Sequence, residues 1–234
     1  MNFNSIITDS KIRCAEKTLE FINNDSIIGL GTGSTVEIFI ELLAKNLYKF
    51  SNLIFTSTSN RTTEFAKRSG IEIIPFEKID YVDLTIDGAD EVDMNLNGIK
   101  GGGGALLFEK IVAKNSKRNI WIVDSSKIVN KLGTFPLPVE IVPFALNSLL
   151  RVFNEMSLNP KQRFFNDKPF ITDSSNFIID CKIGEIDDPI DLETRLKLLT
   201  GVVEVGLFNN IVDIVIIGYP DESRIISRTK HKEI

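Results

Sequence analysis

The segment Asp87-Gly88-Ala89-Asp90 is followed by Lys100-Gly101-Gly102-Gly103-Gly104 and then by Glu109. Carboxylates can move protons when their surroundings push their pKa values toward neutrality. A lysine and bare backbone amides can stabilise the oxyanion that forms when a proton leaves carbon. The inventory suits acid-base chemistry on an anionic, oxygen-rich small molecule. A turn capped by one aspartate would explain Asp87 or Asp90 singly. A solvated helix face would explain Glu109 alone. Neither explains the set, because a run of glycines costs conformational entropy on folding. It implies a close backbone approach or several positive φ angles.

Three further segments carry polar chemistry. Gly29-Leu-Gly31-Thr32-Gly33-Ser34-Thr35 reads as a glycine-rich turn between a strand and a helix. The helix start offers unpaired amides and partial positive charge to an anion, and Ser34 and Thr35 add hydroxyls. The turn lacks the last glycine of a dinucleotide fingerprint, and no acid follows at the required distance. Thr56-Ser-Thr-Ser-Asn60 could bind sugar or phosphate oxygens, but capping the next helix is the simpler expectation. Asp124-Ser-Ser-Lys127 places a lysine where a phosphate contact is plausible.

All four segments fall at the carboxyl ends of expected strands, where open α/β sheets bind ligands. Those strands are Ser26–Leu30, Asn52–Thr56, Val82–Ile86 and Asn119–Val123, with a further strand expected at Ile71–Ile74. Helices are expected from Ile12 onward with Asp9 or Ser10 as cap, over Ser34–Leu47, over Asn60–Ser69, and from Leu106 to Lys114. Alternating strands and helices with near-continuous apolar strands predict a mostly parallel, doubly wound, Rossmann-like sheet. After Gly133 the pattern becomes β-α-β-β-α-β: Val139–Val142, Phe144–Met156, Arg163–Phe165, Phe177–Cys181, Leu192–Leu199 and Val202–Val205. That is the order of a ferredoxin-like α+β unit. The predicted division is an α/β catalytic domain, 1–137 plus 207–234, with a small domain, 138–206, inserted. Val212–Ile217 is expected to return to the main sheet.

Composition narrows the function classes. The 234 residues are 43% hydrophobic and 25% charged, ordinary for a globular chain. A net charge of −5 argues against a nucleic-acid surface and requires any anion site to be locally positive. No apolar stretch approaches the ~20 residues that span a bilayer, and the first residues do not resemble a signal peptide. Cys14 and Cys181 read as two buried free thiols, which fits a reducing cytoplasm. The lone histidine, His231, lies in a charged tail and reads as part of a frayed terminus. One histidine and two scattered cysteines exclude a zinc-type cluster and a Ser-His-Asp triad.

These segments resemble the type A ribose-5-phosphate isomerase family. The resemblance rests on Gly29–Thr35, Thr85–Glu91, Ile99–Ala105 with Glu109-Lys110, and Asp124–Lys127. Phe135–Glu140, Thr172-Asp173 and Gly201–Phe208 extend it over nearly the whole chain. It implies interconversion of D-ribose 5-phosphate and D-ribulose 5-phosphate in the pentose phosphate pathway. By position, Glu109 matches the general base, and Asp87, Asp90 and Lys100 match the other catalytic residues. Thr32, Gly33, Ser34, Thr35, Gly88, Ala89, Gly101, Gly102, Gly103 and Lys127 match substrate-binding positions. The family needs neither metal nor organic cofactor and forms homodimers or homotetramers. The segment Gln162–Lys168 and the tail from Asp221 depart from the pattern, and neither is expected to touch the catalytic motifs. The alternatives are a CoA-transferase-like enzyme, which needs contacts to a long nucleotide, and a non-catalytic sugar-phosphate-binding module.

Overall fold

A computed structural model describes residues 3–228. The chain begins with α1 (Phe3–Thr18) and β1 (Ile27–Leu30), then α2 (Ser34–Asn46), β2 (Ile54–Ser57), α3 (Asn60–Arg68) and β3 (Leu84–Asp87). Two short strands, β4 (Glu91–Val92) and β5 (Gly98–Ile99), precede α4 (Leu106–Lys114) and β6 (Asn119–Asp124). Next come β7 (Leu137–Ile141), α5 (Leu146–Glu155), β8 (Pro160–Gln162), β9 (Phe164–Phe165), β10 (Lys168–Pro169), β11 (Phe177–Cys181), α6 (Pro189–Lys197) and β12 (Val202–Val205). The described chain closes with β13 (Leu207–Phe208), β14 (Ile214–Gly218) and β15 (Ser223–Ser227).

The main sheet runs β15-β14-β6-β3-β1-β2, parallel except for the antiparallel edge strand β15. Its central strands are buried on both faces, which explains their unbroken apolar character. Ile120 and Ile122 of β6 join one core with Phe39 and Leu43 of α2. Trp121 and Val123 point the other way, into a core with Phe208, Val215 and Leu106. From β1 the chain moves outward to β2, and from β3 it moves the opposite way to β6. The strand order therefore reverses between β1 and β3, where a crevice opens at the carboxyl edge.

The second sheet, β12-β7-β11-β8, is antiparallel. Helices α5 and α6 cover it around Leu149, Phe153 and Leu196. The expected β-α-β-β-α-β order is present, with the hairpin β9–β10 interposed. A three-stranded sheet, β13-β5-β4, ties the two together. Lys100 N donates to Gly206 O at 2.9 Å, and Gly206 N to Pro138 O at 2.8 Å.

Several boundaries differ from expectation. Helix α1 begins well before Asp9 and Ser10, so neither caps it; Ser10 Oγ instead donates to Ile6 O at 2.8 Å. Ile71–Ile74 forms no strand. Ile71 and Ile73 are buried, but the segment's contact with β2 is the single bond from Ile74 N to Phe55 O, 2.7 Å. Residues Pro160–Gln162, rather than Arg163–Phe165, pair with β11. The tail beyond Asp221 supplies β15, which no sequence pattern indicated. His231 lies outside the described residues. Cys14 and Cys181 are buried free thiols, and burial pushes both up to about 12.

Candidate active site

Asp87 ends β3, and Lys100 follows β5. Glu109 lies in the first turn of α4. All three side chains are buried, at 2%, 2% and 3% exposure. Lys100 Nζ lies 3.1 Å from Asp87 Oδ2 and 3.1 Å from Glu109 Oε1. Its hydrogen bond goes to Gly88 O at 2.7 Å. Asp87 Oδ1 accepts from Thr32 N at 3.0 Å and from Gly88 N at 2.7 Å. This carboxylate thus spans the crevice between β1 and β3. Asp87 Oδ2 and Glu109 Oε2 are buried without a hydrogen-bond partner. Phe208 completes the enclosure, with its ring centroid 5.4 Å from Lys100 Nζ.

Two carboxylates around one ammonium in a dry site cannot both ionise at ordinary cost. Burial raises the Asp87 carboxyl, and Lys100 and the Gly88 and Thr32 amides offset only part of this. Burial, reinforced by the Asp87 charge, pushes Glu109 up to about 8 against the pull of Lys100. Burial alone would lower the Lys100 ammonium; Asp87 and Glu109 outweigh it and hold the value above the ordinary one. The arrangement holds a firm cation beside a carboxyl poised to give or take a proton near neutrality.

The site opens into a cavity of about 160 Å³. Lys100, Glu109 and Asp90 line it, with the turn Thr32–Thr35, Gly88, Ala89, Gly101–Gly103 and Lys127. Every sequence-nominated site residue except Asp87 therefore borders this one cavity. Asp87 stands behind Lys100. Asp90 faces the cavity, with Oδ2 accepting from Gly102 N at 2.7 Å. The Thr32 hydroxyl is engaged with Thr58 (2.9 Å), Ser59 (2.8 Å) and Thr62 (3.2 Å), and its N–H with Asp87 Oδ1 (3.0 Å). Ser59 also caps α3, accepting from Thr62 N at 3.1 Å. The Thr56–Asn60 segment therefore braces the turn and caps a helix. The Asp124 carboxylate accepts from Ser126 N at 3.1 Å, closing the turn that carries Lys127.

The glycine run divides by cause. Gly101 and Gly104 have φ of +104° and +81°, which side-chain-bearing residues avoid. A Cβ on Gly102 would strike the Asp90 carboxylate. Gly103 has neither constraint: a Cβ there would meet Thr32 Cγ2 at 3.5 Å, an ordinary contact. The fold tolerates a side chain at this cavity-facing position, so close approach of a ligand is the remaining reason for glycine. Gly103→Ala is expected to match the wild type in melting temperature while losing at least about tenfold in kcat/KM, the cost of obstructing one well-placed backbone donor. Wild-type kinetics in that variant would refute this reading of the position.

Two cavity residues, Lys11 and Arg61, lie in none of the segments picked out from sequence; Val123 and Asp124 complete the lining beside Lys127. Lys11 Nζ donates to Ser34 Oγ at 2.9 Å, which places an ammonium at the start of α2. The available signal was a lysine sharing a helix face with buried Cys14, Ala15 and Thr18. Arg61 pairs with Glu37 at 2.8 Å. Lys110, next to the Glu109 position, is buried and donates to Glu193, Glu204, Val205 O and Leu207 O at 2.7–2.9 Å. It ties α4 to the second sheet. The segment Gln162–Lys168 also reaches the site, contrary to expectation: Arg163 Nη1 donates to Gly101 O at 2.8 Å and to Gly102 O at 3.2 Å. Among the described residues, no group of three or more His, Cys, Asp or Glu side chains is placed to hold a metal ion, and no helix is long and apolar enough to cross a membrane.

Comparison with known proteins identifies the family. The family model for ribose 5-phosphate isomerase A (phosphoriboisomerase A) matches residues 54–222. Ribose-5-phosphate isomerase A of Limosilactobacillus reuteri is 45% identical over 218 residues, 92% of this chain and 96% of the relative. That of Bifidobacterium adolescentis is 47% identical over 210 residues, 88% of this chain and 90% of the relative. A solved D-ribose-5-phosphate isomerase in complex with phospho-erythronic acid superposes with a TM-score of 0.92 at 39% identity, covering 97% of this chain and 100% of that one. The Methanocaldococcus jannaschii ribose 5-phosphate isomerase A gives 0.89 at 36% identity, covering 94% and 99%. With buried Glu109, Lys100 and Asp87 at a crevice of matching fold, this chain belongs to the ribose 5-phosphate isomerase A family.

Proposed function

We propose that the chain interconverts D-ribose 5-phosphate and D-ribulose 5-phosphate through an enediolate, with Glu109 carrying the proton between carbon 2 of the aldose and carbon 1 of the ketose. The observation that carries this reading is the buried Glu109 carboxyl beside Lys100, with Oε2 free of any hydrogen-bond partner. A base whose pKa lies near the operating pH can both remove and return a carbon-bound proton. Lys100 then faces the oxygen on which negative charge develops. Asp87 anchors Lys100 and the turn at Thr32. Asp90, which borders the cavity, is the carboxylate placed to move hydroxyl protons during ring opening.

The phosphate end is assigned to the start of α2, with Lys11 and Lys127 as counter-charges. A solved relative carries phospho-erythronic acid, a phosphorylated sugar acid. Lys127→Ala is expected to raise KM about tenfold or more with kcat little changed, because phosphate binding is shared by ground and transition states. A fall in kcat at unchanged KM would reject this assignment.

The family match favours the isomerase over the CoA-transferase-like and non-catalytic readings. The direct test is turnover of ribose 5-phosphate, with arabinose 5-phosphate and glucosamine 6-phosphate as controls. Conversion of the ribose ester alone is expected; binding without turnover would reject the proposal.

We also infer a catalytic unit, 1–137 plus 207–234, and a small unit, 138–206. The apolar cluster around Leu149, Phe153 and Leu196 supports this division, although Ile99, Leu132, Leu137 and Leu207 of the catalytic unit also enter it, and limited proteolysis at the junctions tests it. A cytoplasmic homodimer or homotetramer is proposed on the same family grounds, to be checked by cell fractionation and sedimentation.

A further inference from the structure

We propose that Arg163, just after β8, is a positioning residue that aims the Gly103 N–H into the cavity as a donor to the reacting oxygens. This rests on the enediolate reading above. The guanidinium is held by an ion pair: Nε donates to Asp180 Oδ2 at 2.8 Å, and Nη2 pairs with Asp180 Oδ1. The fork is bidentate, so its plane is fixed. The remaining nitrogen, Nη1, donates to the carbonyls of Gly101 and Gly102. The Arg163 backbone is itself locked, with N donating to Ile178 O at 2.8 Å and O accepting from Phe170 N at 2.9 Å. Phe170 packs on Gly104, at the far end of the same loop.

Peptide geometry carries the argument. No peptide bond in the described chain is cis. In a trans peptide the C=O and the next N–H point in opposite directions. The Gly101–Gly102 peptide shows this: its carbonyl faces Arg163 and its N–H faces Asp90. The Gly102 carbonyl also faces Arg163, so the Gly103 N–H is turned away from it. Among the described residues that N–H has no hydrogen-bond partner, and Gly103 borders the cavity while Arg163 does not. The guanidinium also polarises both peptides, which strengthens the donor. Gly101 O also accepts from Gly104 N at 2.9 Å, but among the described residues Arg163 is the one side chain that bonds the Gly101 and Gly102 carbonyls, in a run of glycines with wide conformational freedom of its own.

The test compares the wild type with Arg163→Ala and Arg163→Lys. Steady-state kinetics are combined with titration of phospho-erythronic acid and of inorganic phosphate. A misdirected oxyanion donor acts on the transition state. Arg163→Ala is expected to lose roughly 10–100-fold in kcat with KM changed less than about threefold. Affinity for phospho-erythronic acid should fall in step with kcat, and inhibition by inorganic phosphate should stay unchanged. Arg163→Lys, able to reach one carbonyl, should lie between. If Arg163→Ala does not fold, Asp180→Asn frees the fork while keeping the cation and should show the same split on a smaller scale. Unchanged kcat, or equal losses of KM and phosphate affinity, overturn the proposal. A wild type that fails to isomerise would remove the underlying reading, whereas the phospho-erythronic acid titration needs no turnover and still reports on Arg163.

Discussion

Glu109→Gln lowers kcat by about 10²–10⁴-fold, the usual contribution of a positioned base, and leaves KM within a few-fold. The amide fills the same volume beside Lys100 but cannot accept the carbon-bound proton. Lys11, Ser34 and Lys127, proposed above to hold the phosphate, border the same cavity and are unchanged in this variant. The pH profile has a fixed sign. The base must be ionised to act, and burial with the Asp87 charge pushes Glu109 up to about 8. In the wild type, kcat/KM therefore rises with pH on an acid limb displaced well above the ordinary glutamate value of 4.5 toward 8. Steady-state assays from pH 5 to 9 check both statements. An acid limb near the ordinary glutamate value, or near-normal turnover in the Gln variant, would contradict them.

Lys100→Met has the second large effect, on rate and stability together. Loss of the cation proposed to face the oxyanion is expected to cost about 10²–10³-fold in kcat. It also leaves Asp87 and Glu109 buried without a counter-charge, which destabilises by about 3–5 kcal/mol. For a chain of this length that is roughly 6–20 °C in Tm. Both carboxyls have folded-state values raised above their ordinary ones. Raised carboxyls favour the protonated folded state, so their contribution is present at low pH and is lost as pH rises through the folded values. Removing Lys100 pushes both higher and steepens that loss. The Tm deficit of the variant should accordingly be larger at pH 8.5 than at pH 5.5. Calorimetry at the two values decides it, and equal deficits would show that the ion pairs are not the stabilising element.

The residues that meet at this cavity were legible in sequence because they lie in chain segments with local signatures. Asp87 and Asp90 follow an apolar strand, the glycines precede a helix, and Lys127 sits in a turn after another strand. Continuous apolar runs such as Ile120–Val123 marked doubly buried parallel strands, and the reversal of strand order placed them around one crevice. The same logic failed where burial and pairing part company. Ile71–Ile74 is apolar because Ile71 and Ile73 enter the core, yet its backbone does not join the sheet ladder. Alternation reports which side chains are covered and is silent on where the backbone hydrogen bonds go.

Contacts between distant segments were illegible for a different reason. Arg163 and Gly101 are separated by 62 positions, and nothing in the residues around Arg163 marks it as a loop brace. Lys11 gave a fainter trace, a cation on an otherwise apolar helix face. The distinction between the two aspartates became visible only in three dimensions: Asp87 turns inward to Thr32, Gly88 and Lys100, whereas Asp90 borders the cavity. Strand ends alone could not separate them, because both follow the same strand.

The central claim is that Glu109 moves a carbon-bound proton. It is tested most directly by following ribose 5-phosphate in D₂O by NMR, with wild type and Glu109→Gln side by side at equal concentration. The account predicts that the wild type forms ribulose 5-phosphate with deuterium entering at carbon 1, and that the Gln variant shows neither product nor exchange above background on that timescale. Exchange at the wild-type rate in Glu109→Gln would contradict it.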